Sequence, residues 1–237
     1  MPLHSIRPLP SGVHLGLWHL TETPTELWPL LEAVEAYRPL LPARADGPRQ
    51  AQWLAGRVLV QRMLAAAAPV AVLPILQNDA TGRPFLAGPG LVPAVSLSHS
   101  GEWVAALLAP PGTAVGIDVE VVRDKAFRIA RKFLNDEELA AIEPVASLTS
   151  TSPTEAAIRL FSLLWSAKET LYKLAGQRGI IFRQNLLLDL PPGPWPTAGE
   201  LPARLALGGA ISRHCICYFQ PAAGYMLTYC YLLSSLA

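Results

Sequence analysis

Two long helical patterns, each set among strand-like sequence, constrain this chain more than any other feature. Residues 50–68, QAQWLAGRVLVQRMLAAAA, run without a breaker until Pro69 stops them. Residues 156–176, AAIRLFSLLWSAKETLYKLAG, end at Gly176, a residue suited to the left-handed turn that closes a helix. Beyond the first helix come AVLPILQN and RPFLA, extended pieces joined by the turn DATG, then AVSLSHS and EWVAALLA. Beyond the second come NLLLDL, ARLALG, HCICYFQ and GYMLTYCYLL. Both helices carry a Trp at a corresponding place, a weak internal echo. The expected fold is α+β: two pseudo-symmetric lobes, each a small, mostly antiparallel sheet packed against a long helix. The break PPGT at 110–113 divides them into residues 1–112 and 113–237. Shorter helices are expected over 24–37 and 126–133. Another begins after Asn135, where Glu138 completes a capping box.

With 51% hydrophobic residues in 237, the chain has ample material for a core. Its 19 basic and 18 acidic residues nearly cancel, which argues against a general nucleic-acid surface. Prolines interrupt the longest apolar runs before they reach the length of a membrane span, and the N-terminus has no secretion-signal pattern. The odd set Cys215, Cys217 and Cys230 lacks metal-ligand spacing and reads as reduced, buried thiols on neighbouring strands of a cytoplasmic protein.

Against this background the stretch AVGIDVEVV, residues 114–122, is unusual. Asp118 and Glu120 interrupt an apolar strand and point to one face, their Cα atoms roughly 7 Å apart. A D-x-E on a strand is commonly a solvated edge. The helix LWSAKETLYKL alters that reading: Glu169 and Lys173 stand four apart and continue a face that already holds Phe161 and Trp165. Such a pair sits at the rim of a core. Three carboxylates and a lysine suit a hard divalent cation holding a phosphate, and Mg²⁺ takes one or two carboxylates with water and phosphate oxygens. The ion's charge would offset the repulsion between Asp118 and Glu120. SLSHSG places Ser98 and His99 at the polar end of a strand, and TGRPF places Arg83 on a tight turn; both are suited to phosphate oxygens and neither is specific alone.

GIDVE (116–120), WSAKETLYK (165–173), SLSHSG (96–101) and GRP (82–84) occur in the order and approximate spacing of the 4'-phosphopantetheinyl transferases, and from about Gln50 to Tyr231 the chain resembles their monomeric, two-lobed type. The resemblance implies transfer of the phosphopantetheine arm from coenzyme A to a serine of an acyl or peptidyl carrier protein, a reaction of the holo-acyl-carrier-protein synthase type that releases 3',5'-ADP. It implies Asp118, Glu120 and Glu169 as Mg²⁺ ligands, Glu169 as activator of the serine and Lys173 as pyrophosphate contact. By the same resemblance Ser98, His99 and Arg83 serve the nucleotide end of coenzyme A. No nucleic acid or membrane partner is implied. One departure stands out: Gln52 and Trp53 lie where the family commonly has an arginine and a small hydroxyl residue for the 3'-phosphate. Arg38, Arg44 and Arg49 lie just upstream as substitutes. Arg128, Arg131 and Lys132, with GQRGIIFRQN after the second long helix, offer a basic and apolar landing surface for an acidic carrier protein. The competing readings are a metal-dependent phosphodiesterase and a non-catalytic binder of coenzyme A or of the carrier protein.

Overall fold

The computed structural model of the chain describes residues 3–43, 46–67, 73–146, 153–193 and 195–233; Arg44 lies outside them. The fold is α+β, and its contacts divide into one unit over Met1–Val115 with Leu233–Ala237 and a second over Gly116–Leu232.

The first unit opens with a hairpin that the sequence reading did not anticipate. Strands β1 (Leu3–Leu9) and β2 (Val13–His19) pair antiparallel around a turn in which Ser11 and Gly12 take positive φ. Two short helices follow, α1 (Pro24–Leu27) and α2 (Val34–Tyr37). These replace the single helix expected over 24–37: Pro29 sits in a tighter intervening turn and Ala33 adopts φ +53°, a left-handed value that cannot propagate an α-helix. The long α3 (Gly47–Ala67) comes next, then the ribbon β3 (Ile75–Asn78) and β4 (Pro84–Ala87), then β5 (Ala94–Ser100) and β6 (Trp103–Ala109). The main sheet runs β1-β2-β6-β5. Leu54, Val58, Leu59 and Met63 of α3 are fully buried and join the core with Trp18, Val104 and Ala106. Each such side chain contributes about 1.5–3 kcal/mol of burial. Close approach needs Gly16 on β2, where an added Cβ would meet Met63 Sδ at 2.3 Å.

The second unit begins within β7 (Ala114–Val121) and continues through α4 (Lys125–Arg128), α5 (Ala130–Phe133), α6 (Asp136–Ile142) and α7 (Glu155–Ala175). It ends with α8 (Phe182–Asn185), β8 (Leu186–Leu188), β9 (Ala198–Leu207), β10 (Ala210–Phe219) and β11 (Tyr225–Leu232). The helix expected over 126–133 is interrupted at Ile129, whose φ of −105° and ψ of 10° lie outside the helical well. The Asn135–Glu138 capping box is complete in both directions, at 2.8 Å each way. The sheet order is β7-β11-β10-β9-β8, antiparallel from β8 through β11. Phe161, Leu164, Ala167 and Leu171 of α7 are fully buried, and Thr170 Oγ1 donates to Thr228 O on β11 at 3.1 Å. Gly176 caps α7 with φ +61°. All three thiols are free; Cys230 is buried, but Cys215 is exposed because β10 turns that side chain outward, which corrects the expectation of three buried thiols. Among the described residues no helix is long and apolar enough to cross a membrane.

Candidate active site

The acidic strand β7 and the helix α7 meet at one glycine. A Cβ on Gly116 would stand 2.1 Å from Thr170 O and 2.9 Å from Leu174 N, so only glycine lets the strand backbone lie directly on the helix backbone. The residues that follow Gly116 are thereby brought beside the last turns of α7. Lys173, three residues beyond Thr170, donates from Nζ to Ile117 O and to Asp118 Oδ1, both at 2.9 Å. Asp118 is only 4% exposed, so this ion pair is partly desolvated and correspondingly stronger than a surface pair.

Glu120, two residues along β7, accepts a hydrogen bond from Trp165 Nε1 at 3.1 Å. Trp165 lies between Phe133, edge-on at 5.2 Å, and Phe182, stacked at 5.8 Å, which fixes the indole and therefore the carboxylate it holds. Glu169, one helical turn after Trp165, is half-buried. Burial, then the charge of Asp118, push its pKa up to about 7; Lys173 opposes them, Glu120 adds to the rise and Lys125 reduces it. Glu169 is therefore a carboxyl group that exchanges its proton near neutrality.

Lys168, adjacent to Glu169 and about 100° further round the helix, turns into the interior. It is fully buried and paired with Glu138 Oε2 at 2.7 Å, and it also donates to Phe182 O at 3.3 Å. Burial lowers its pKa and Glu138 counters that effect. Glu138 in turn accepts from Leu188 N at 2.8 Å, so the pair ties α6, α7 and β8 together inside the unit. Sequence reasoning found Glu138 as a cap but missed the buried lysine that completes it. It also missed Trp165 as a hydrogen-bond donor, although the aromatic stripe on α7 was the available signal.

The nucleotide-side candidates belong to the first unit. Arg83 is exposed and leaves the tight turn between β3 and β4. Ser98 and His99 are consecutive on β5 and project to opposite faces: Ser98 is buried and His99 exposed. Of the upstream arginines, Arg38 is engaged with Glu35 at 3.0 Å.

Among the described residues, no group of three or more His, Cys, Asp or Glu side chains stands gathered as a metal site. Asp118 is held by an ammonium and Glu120 by an indole. The donor chemistry nevertheless fits Mg²⁺, since Asp118, Glu120 and Glu169 carry hard carboxylate oxygens, and the charges of Asp118 and Glu120, which add to the effect of burial in raising Glu169, are what a dication offsets.

Residues 114–192, the stretch that contains β7 and α7, match the model of the 4'-phosphopantetheinyl transferase superfamily. The chain is 34% identical over 140 residues to the 4'-phosphopantetheinyl transferase AcpT of Salmonella typhimurium, covering 58% of this chain and 65% of the relative. It is 32% identical over 131 residues to AcpT of Escherichia coli K12, covering 55% and 60%. To the 4'-phosphopantetheinyl transferase psf-1 of Bacillus pumilus it is 30% identical over 149 residues, covering 61% and 55%. The chain thus spans less than two thirds of the length of these curated relatives.

Proposed function

We propose, from a chain that resembles the 4'-phosphopantetheinyl transferase superfamily across its acidic strand and second long helix, that the protein transfers the 4'-phosphopantetheine arm of coenzyme A to a serine of an acyl or peptidyl carrier protein. In this reaction the serine oxygen forms a new bond to the pantetheine-side phosphorus of the diphosphate. The bond from that phosphorus to the bridging oxygen breaks, 3',5'-ADP leaves with the bridging oxygen, and the serine proton passes to a base. The observation that carries the reading is the close crossing of β7 on α7 at Gly116, which sets Lys173 Nζ 2.9 Å from Asp118 Oδ1 and Trp165 Nε1 3.1 Å from Glu120, with Glu169 between Trp165 and Lys173 on the helix.

In this assignment Glu169 takes the proton of the serine hydroxyl, directly or through water. Lys173 moves part of its charge from Asp118 to a diphosphate oxygen as negative charge builds there. Asp118, Glu120 and Glu169 would hold Mg²⁺, and Trp165 orients Glu120 for that task. When bound, Mg²⁺ supplies charge neutralisation for the diphosphate. Arg83, Ser98 and His99 serve the phosphates and nucleotide of coenzyme A, with residues 1–112 as the adenosine-side lobe and 113–237 as the catalytic lobe.

The carrier protein docks, in this reading, on exposed Arg128, Arg131 and Lys132 of α4 and α5 together with exposed Tyr172 and Ile181. Cationic side chains suit an acidic carrier, while the two apolar side chains supply contact area. The protein acts as a cytoplasmic monomer on this account. Intact mass of an apo carrier protein incubated with the chain, coenzyme A and Mg²⁺ tests the assignment. A gain of one phosphopantetheine with release of 3',5'-ADP is expected. Coenzyme A cleavage without labelling would identify a hydrolase, and binding without turnover a non-catalytic relative.

A further inference from the structure

Among the described residues, the first unit contains a buried cation that no carboxylate balances. Arg57, on α3, is 3% exposed. Its guanidinium lies over the Trp53 ring, 3.6 Å from the centroid. One terminal nitrogen donates to Trp53 O at 3.1 Å, the other to Asn78 Oδ1 at 2.9 Å, and Nε has no partner among the described residues. Burial lowers the pKa of this group to about 9. Desolvating a guanidinium without an anion costs stability, so the position calls for something a neutral side chain could not provide.

What Arg57 grips is the turn that carries Arg83. Asn78, the last residue of β3, passes the contact on by donating from Nδ2 to Gly82 O at 2.8 Å. Within the turn Asp79 Oδ1 accepts from Thr81 N at 2.7 Å, Thr81 Oγ1 at 2.6 Å and Arg83 N at 3.0 Å. Gly82 supplies the required left-handed backbone at φ +88°. The turn is thus stiffened from inside by Asp79 and moored from outside by Arg57. Trp53 is the platform for that mooring, and Tyr37 meets its ring edge-on at 6.2 Å. Trp53 is therefore a structural part of this link. Gln52 makes a parallel contact, donating to Gly101 O at 2.9 Å in the turn that follows His99.

We infer that Arg57 is a positioning residue for coenzyme A recognition: stacked on Trp53 and bonded to Asn78, it fixes the β3–β4 turn so that Arg83 is presented to the phosphates of the nucleotide. The inference rests on the role given above to Arg83. Only a planar fork stacks on a ring and bonds two acceptors together, so lysine cannot replace it although the charge is kept.

The test compares parent, Arg57→Lys, Arg57→Gln, Arg83→Ala and the Arg57→Gln/Arg83→Ala double variant of the full chain. Calorimetry measures coenzyme A binding, steady-state kinetics separate kcat from KM, and thermal melting reports stability. Loss of a charge-assisted contact predicts that Arg83→Ala weakens coenzyme A binding about tenfold or more. Both Arg57 variants weaken it several-fold, with kcat and the carrier-protein KM within about twofold of the parent. The double variant matches Arg83→Ala, because Arg57 acts through Arg83. Full additivity in the double variant, or unchanged coenzyme A affinity with a lowered Tm in Arg57→Gln, overturns the inference. Should Arg57→Gln fail to fold, Asn78→Ala cuts the same link from the exposed end and must reproduce the affinity loss. An Arg83→Ala variant that binds coenzyme A like the parent defeats the Arg83 assignment itself, a failure readable apart from Arg57.

Discussion

Lys173 reaches from α7 to β7 and sets its ammonium 2.9 Å from Asp118 Oδ1, although Glu169 stands one turn away on its own helix. The helical spacing alone suggests an intrahelical pair, but the strand supplies the closer acid. Lys173→Ala is therefore expected to slow the chemical step by about tenfold or more while leaving coenzyme A affinity within a few-fold. Single-turnover rates at saturating coenzyme A check this, and equal rates for variant and parent would reject the phosphate role.

Gly116→Ala inserts a methyl group where Thr170 O already stands 2.1 Å from the Cβ position. The strand and helix must separate, at a cost of about 1–3 kcal/mol. Urea unfolding should show that loss, together with a fall in transfer rate larger than the stability change explains. A variant as stable and as active as the parent would show that the close crossing does not matter.

Lys168 and Glu138 form the buried pair beneath the site. Lys168→Ala strands a carboxylate in the core and should destabilise the chain by about 3–5 kcal/mol. A loss under about 1 kcal/mol would mean that water reaches Glu138.

Glu169 makes the metal-free protein sensitive to pH. Its ordinary pKa of 4.5 rises to about 7 on folding, so between those values the folded chain keeps a proton that the unfolded chain has released. Stability from this group is present below the unfolded value and falls as pH rises through the window. In the presence of a chelator, Tm should drop between about pH 5 and pH 8, and Glu169→Gln should flatten that slope. An identical slope in the variant would assign the effect to other groups.

Trp165→Phe keeps the aromatic stack but removes the donor to Glu120. The Mg²⁺ concentration needed for half-maximal transfer should rise several-fold at unchanged coenzyme A affinity. No change would remove the indole from the site.

The parts of this molecule that were legible in sequence are those set by local rules. The long helices, the Gly176 stop, the Asn135–Glu138 capping box and the strand that carries Asp118 and Glu120 each follow from periodicity or cap chemistry over a few residues. The β1–β2 hairpin escaped because its turn at Pro10–Gly12 follows a proline-containing strand, a pattern that reads as loop. The 24–37 helix failed at Pro29 and Ala33, where short-range amphipathicity concealed two breaks. Long-range pairings were out of reach. Nothing local announces that Lys168 meets Glu138 thirty residues away, that Trp165 bonds Glu120, or that Arg57 and Asn78 join across the first unit.

The most direct measurement is the mass of an apo carrier protein after a single turnover with coenzyme A and Mg²⁺, run with the parent chain and with Glu169→Gln. The account predicts one added phosphopantetheine from the parent and, over the same interval, unmodified carrier from the variant. Full modification by Glu169→Gln, or none by the parent, would contradict it.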